Sequence, residues 1–133
     1  VVVVCIVAIL LALTLPSYQR QLRNMRRSLG AAELLQVMMR QEQYFVDHKR
    51  YADTLTDLDF PGSPYAIDAQ GNAGSALAHD RIYLIELSLN QEAYTLRAIP
   101  QLSQAADYLC GILSLDSMGI KHAAGGNATR KCW

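Results

Sequence analysis

Apolar residues fill the start of the chain. Val1–Leu15 (VVVVCIVAILLALTL) carries no charge, and Thr14 is its only conventionally polar residue. As a helix rising about 1.5 Å per residue it would be roughly 22 Å long. The hydrocarbon core of a bilayer is about 30 Å thick and calls for about 20 apolar residues. The segment is short for a span, and the expectation is that several residues precede Val1. A cleaved secretory signal has an apolar core of about 7–15 residues, but it ends in a small-residue cleavage site followed by a new domain. Here Pro16 is followed by more helical pattern, which favours a segment that stays attached.

Beyond Pro16, Leu22, Met25, Leu29, Ala32, Leu35 and Met39 recur at steps of three and four, the signature of one helix face. Pro16 costs about 3 kcal/mol inside a helix, and Gly30 about 1 kcal/mol relative to alanine. The pattern predicts one helix from residue 1 to about residue 48, bent or loosened at Pro16. Globular helices average about 10–14 residues. The first half of so long a helix must therefore bury its apolar surface in a membrane or against other copies, while the second half packs one stripe on its own head. The organisation expected is an apolar helix over residues 1–22 and a head over residues 23–133.

Residues 48–65 (HKRYADTLTDLDFPGSPY) are polar and punctuated by proline and glycine, which predicts a loop with at most one helical turn. Arg81–Asn90 then alternates, with Tyr83, Ile85, Leu87 and Leu89 on one side, and Ala93–Pro100 sets Tyr94, Leu96 and Ala98 opposite Thr95, Arg97 and Ile99. Only Gln91-Glu92 separates the two runs, which predicts a hairpin. Tyr108–Asp116 reads as a third strand and Ile120–Ala123 as a fourth. The predicted fold is α+β: one long helix packed on a four-stranded antiparallel sheet.

Cysteine placement adds a staple. Cys5 lies in the apolar segment, whereas Cys110 sits in a predicted strand and Cys132 beside the C-terminus. A Cys110–Cys132 disulfide would close a C-terminal loop and contribute about 3 kcal/mol in the chain-entropy model. A metal site from Cys110, His122 and Cys132 is the rival, but its spacing matches no compact zinc pattern.

Formal charge is zero, from 12 basic and 12 acidic residues. A neutral total argues against generic binding of nucleic acid or anionic membrane. The distribution is uneven: Arg20, Arg23, Arg26 and Arg27 face no acid in residues 1–32, giving +4, and the remainder carries −4. Such a basic rod could attract the acidic head of another copy. Equally, the arginines could be solvated or lie at lipid headgroups.

The run VVVVCIVAILLALTLPSYQ, with Leu15-Pro16-Ser17-Tyr18 at its end, resembles the N-terminal helix of type IV pilins and pseudopilins. YTLRAIP, CGILSLDSMG and a near-terminal Cys-Trp resemble the C-terminal half of PilE-type pilins. The resemblance implies a pilin fold and a structural subunit that polymerises into an extracellular filament for adhesion, twitching or DNA uptake. Val1, Val4, Ile6, Ile9, Leu10 and Leu13 would pack in the filament core, Pro16 would be a flexible point, and Arg20, Arg23, Arg26 and Arg27 would make polar contacts between subunits. It implies as partners other pilin copies, the inner membrane before assembly, a prepilin peptidase and the pilus assembly machinery. It also implies an N-methylated phenylalanine and a glutamate before Val1, and a periplasmic head, although the arginine cluster alone would suggest the opposite orientation. The family often has glycine where this chain has Ala8, so loosening would centre on Pro16. The runners-up are a minor or tip pilin that receives DNA or a surface, and a type II secretion pseudopilin.

No residue pattern calls for an enzyme, cofactor or metal. His48, His79 and His122 fall in loops or at edges. Asp53, Asp57 and Asp59 lack the spacing and glycine of a calcium loop; Asp53 or Asp57 would cap a short turn. The serines have no nucleophile-elbow setting. Asn127-Ala128-Thr129 fits a glycosylation sequon. Lys121, His122, Arg130 and Lys131 form the basic grouping on the head. A DNA receptor needs such a patch to meet phosphates, and three firm charges on an acidic head make DNA the less favoured partner.

Overall fold

The computed structural model describes residues 1–125 and 129–133, with side chains for 1–125 and 131–133. A single helix, α1 (Val2–His48), runs unbroken through Pro16. It stops at Lys49, whose left-handed backbone (φ 62°) directs its N–H to the Phe45 carbonyl, a common way of closing a helix end. Because α1 continues past Pro16, it contains an 18-residue window of mean hydropathy 2.2, long and apolar enough to cross a membrane, and none of that window is buried.

Residues 1–21 are exposed throughout, and the helix first meets the head at Leu22 and Arg23. The helix face that docks is not the one the periodicity singled out. Arg27, Gly30, Ala31, Glu33, Leu34, Val37 and Gln41 are buried, while Met25, Leu35 and Met39 face outward. The second half of α1 is apolar on two sides, and the docked side includes polar residues that hydropathy discounts. Each of these is matched by the head. Gln41 exchanges two hydrogen bonds with the backbone of Ala52, and Glu33 accepts from the Tyr65 hydroxyl.

The sheet has six strands, not four, in the order β2-β1-β3-β4-β5-β6, every neighbouring pair antiparallel. β3 (Arg81–Asn90) and β4 (Ala93–Pro100) form the predicted hairpin, with Tyr83, Ile85, Tyr94, Leu96 and Ala98 turned into the core. The unforeseen strands are β1 (Tyr65–Asp68) and β2 (Ala73–Gly74). They are too short for alternation to register. Their turn is tied by Asp68, whose Oδ1 accepts from the N–H groups of Gln70 and Asn72. The third predicted strand shortens to β5 (Leu113–Asp116), since Gly111 (φ 61°) turns the chain and donates to the Asp107 carbonyl. The last strand is β6 (Lys121–Ala123). A helical turn, α2 (Thr129–Cys132), precedes Trp133.

In the connection after α1, a 3-10 turn spans Thr56–Leu58. Neither Asp53 nor Asp57 caps it; Thr54 Oγ1 accepts from the Asp57 N–H instead. Gly30 sets how closely α1 approaches the sheet: a Cβ there would lie 2.9 Å from Tyr83 Cδ2. The residue that looked like a weak point in the helix is the contact that lets it sit down on β3.

Candidate functional site

The two regions of interest are the C-terminal edge of the sheet and the outward surface of α1. At the edge, Cys110 and Cys132 are joined by a disulfide with 5.7 Å between their Cα atoms. Both thiols are consumed, so the rival Cys-His-Cys metal site has no thiolate to offer. The bridge holds α2 against the sheet and places Trp133 beside β6. The indole Nε1 donates to the His122 carbonyl at 3.0 Å, and the Lys121 ammonium lies 5.5 Å from the centroid of the Trp133 ring. Lys131 is exposed on the same terminal turn. The side chains of Arg130 and Thr129, and the whole of Asn127 and Ala128 in the sequon, lie outside the described residues.

The neighbouring outer face of the sheet is mixed in charge. Arg97 pairs with Glu86 across the hairpin, and the two side chains are part-exposed. In register, Arg97 lies opposite Ser114, and Ser114 opposite His122. The firm, unpaired cations of this edge are therefore Lys121 and Lys131 among the described residues.

The four helix arginines do not act as a set. Arg20 is exposed; Arg23 and Arg26 are half-buried, and Arg26 donates to Ser103 at 3.1 Å. Arg27 departs from its expected contact between subunits. It is buried within the subunit, its Nε and Nη2 donating to the two carboxylate oxygens of Asp107 at 2.7 Å each. That double hydrogen bond, opposed by burial, raises the Arg27 pKa further above its ordinary value. Alongside, Gln104 donates to the Arg23 carbonyl and to the Tyr83 hydroxyl. Burial pushes the Tyr83 hydroxyl up to about 12. Burial likewise raises Tyr65, with Glu33 adding to it, and Tyr94, with Glu42 adding to it; these two hydroxyls donate to those carboxylates.

Val1, Val4, Ile6, Ile9, Leu10 and Leu13 are all more than half exposed, and so is Pro16's neighbour Leu15. The outward stripe continues up the head-bound half of α1 through Met25, Leu35, Met39 and Val46. A water-facing helix of this composition is incomplete without a partner. His48 stacks on Tyr44 with centroids 4.0 Å apart; His79 and His122 are exposed. Asp53, Asp57 and Asp59 converge on no metal-binding cluster among the described residues.

A family model described as type IV minor pilin ComP, DNA uptake sequence receptor, matches residues 16–114. The chain belongs to this family of type IV pilins. A solved type IV pilin from Shewanella oneidensis is similar in structure, with a TM-score of 0.50 and 18% identity, covering 82% of this chain and 97% of that chain. At that identity the likeness concerns the fold. No curated protein sequence matches the chain at significant similarity.

The family and fold are those of a structural subunit that assembles with other pilins in a type IV pilus. In this pilin, sequence reasoning passed over Trp133 as a site residue and Asp107 as a partner. A tryptophan next to the terminal cysteine was a usable signal for the first. Nothing local marks the second, since Asp107 lies 80 residues from Arg27.

Proposed function

We propose that this chain is a minor pilin whose N-terminal helix carries it from the inner membrane into a pilus and whose C-terminal edge receives DNA. In this reading residues 1–22 form the membrane and filament part and residues 23–133 the displayed head. Val1, Val4, Ile6, Ile9, Leu10 and Leu13 pack against the helices of other copies. Pro16, lacking a backbone donor, is the point of least resistance to local unwinding. Arg20, Arg23 and Arg26 remain available for polar contacts between subunits. A prepilin peptidase and the pilus assembly machinery are the partners this route requires.

The outward stripe of Met25, Leu35, Met39 and Val46 supports an interface that extends beyond the apolar tail. Placing a charge in such a surface leaves it desolvated and unpaired in the assembled filament. Ile9→Lys and Met39→Lys are both expected to lower the amount of subunit in sheared filaments, with Ile9→Lys the more severe. Membrane-bound subunit should stay at its normal level for Met39→Lys. Immunoblotting of the sheared and membrane fractions gives the answer, and unchanged filament content for Met39→Lys would confine the interface to the tail.

The observation that carries the receptor reading is the Lys121 ammonium set over Trp133 with Lys131 exposed on the same turn. Cations meet phosphates, and an aromatic face beside them can take a base or a sugar edge. The family description of a DNA uptake sequence receptor supports this reading. Its match ends at residue 114, so the edge itself is argued from the chain's own geometry.

Titrating duplex DNA against the full chain in detergent, over a range of salt, tests it. Lys121→Ala and Lys131→Ala should each weaken binding and flatten the plot of log affinity against log salt by about 1. Trp133→Ala should weaken binding with little change in slope. If the double lysine variant binds with the affinity and slope of the unaltered chain, DNA is received elsewhere or not at all.

A further inference from the structure

At the far end of the head from the apolar tail, an open cleft of about 470 Å³ lies between the end of α1 and the β3–β4 hairpin. Its size falls within the roughly 300–1,000 Å³ of small-molecule sites. Phe45, Tyr51 and Leu89 line it with apolar surface. The two rings stand 4.9 Å apart and inclined by 38°. Tyr51 is held in place from behind: it meets Tyr94 edge to face at 4.7 Å, and its hydroxyl donates to Glu42. The aromatic surface is thus preorganised, not a mobile side chain in solvent.

The remaining lining is polar and balanced. Lys49 and Arg50 supply two positive charges, Asp53 and Glu92 two negative ones, and Gln91 a carboxamide. None of these four charged side chains has an ion-pair partner among the described residues. Lys49 and Gln91, on opposite walls, both adopt left-handed backbone (φ 62° and 57°).

A cleft of zero net charge gives no advantage to a polyanion, so it is a poor phosphate track. The groups present suit a ligand that is apolar on its faces and carries both donors and acceptors around its rim. Aromatic faces attract the weakly positive C–H groups of such a ring through their quadrupole. Carboxylates accept from hydroxyls, a guanidinium or ammonium donates to them, and a carboxamide does both. We infer that the Phe45–Tyr51 cleft binds a neutral sugar ring of a glycan. The site is separate from the Lys121–Trp133 edge and does not rest on that edge receiving DNA.

The test uses the full chain in a sugar-free zwitterionic detergent. Lactose, maltose and chitobiose serve as neutral probes, with sialyllactose and oligothymidylate beside them. The signal is the shift of the Phe45 and Tyr51 ring resonances. At least one neutral disaccharide should shift both rings, and Phe45→Ala and Glu92→Ala should each weaken that binding by about tenfold. Both residues are exposed at the cleft, so these variants should fold. Lys121→Ala should leave sugar binding unchanged while it weakens DNA binding. The proposal is overturned if no neutral disaccharide shifts these rings, if only sialyllactose or oligothymidylate does, or if Phe45→Ala binds the disaccharide as well as the unaltered chain.

Discussion

Arg27→Ala is expected to destabilise the head by about 3–5 kcal/mol, the range for removing one partner of a buried ion pair. The cost arises because Asp107 is left buried with a charge, and both of its hydrogen-bond partners at 2.7 Å are gone. Arg27 is also among the first residues at which α1 meets the head, so the loss should unfasten the helix there. Urea denaturation of the chain in detergent measures the first effect. Hydrogen exchange of the α1 amides near Arg27, faster than in the unaltered chain, measures the second. The double variant Arg27→Met with Asp107→Leu should recover most of the lost stability, because two apolar side chains of similar volume leave no unpaired charge. A double variant no more stable than Arg27→Ala would mean that shape, not charge, holds this contact.

Breaking the disulfide has the next largest effect. Replacing Cys110 and Cys132 by serine releases a loop with a sequence separation of 22 and should cost about 3 kcal/mol. The loss is not only global. Trp133 is positioned by the bridge and by one hydrogen bond to the His122 carbonyl, so Lys121 should lose its aromatic neighbour as well. The serine variant, held below its unfolding midpoint, should therefore show increased solvent quenching of its single tryptophan. Unchanged quenching together with an unchanged midpoint would show that α2 is docked without the bridge.

The two predictions mark opposite ends of what sequence can convey. The Cys110–Cys132 pairing was readable, because only those two cysteines belong to the head. The Arg27–Asp107 pairing was not. Four arginines spaced along one helix look equivalent in a sequence, and only the head's position against α1 selects Arg27 for burial. The same selection reversed the apparent faces of α1. Leu35 and Met39 recur with helical spacing as convincingly as Leu34 and Val37 do. The head takes the side that carries Gly30, where the absence of a Cβ lets Tyr83 approach.

Periodicity and composition by themselves determined the long apolar helix, the β3–β4 hairpin with the division of its residues between two faces, and the terminal staple. These depend on repeats of two and of three to four residues and on chain-local counts, which a sequence displays directly. Tertiary structure decided the two short strands at the sheet's first edge, the residue that anchors α1 to the head, and the placing of Trp133 beside Lys121. It also decided the cleft built from Phe45, Tyr51 and the hairpin. Each of these joins residues that lie on different elements. Their chemistry comes from proximity, and proximity is set only when the helix and sheet are packed together.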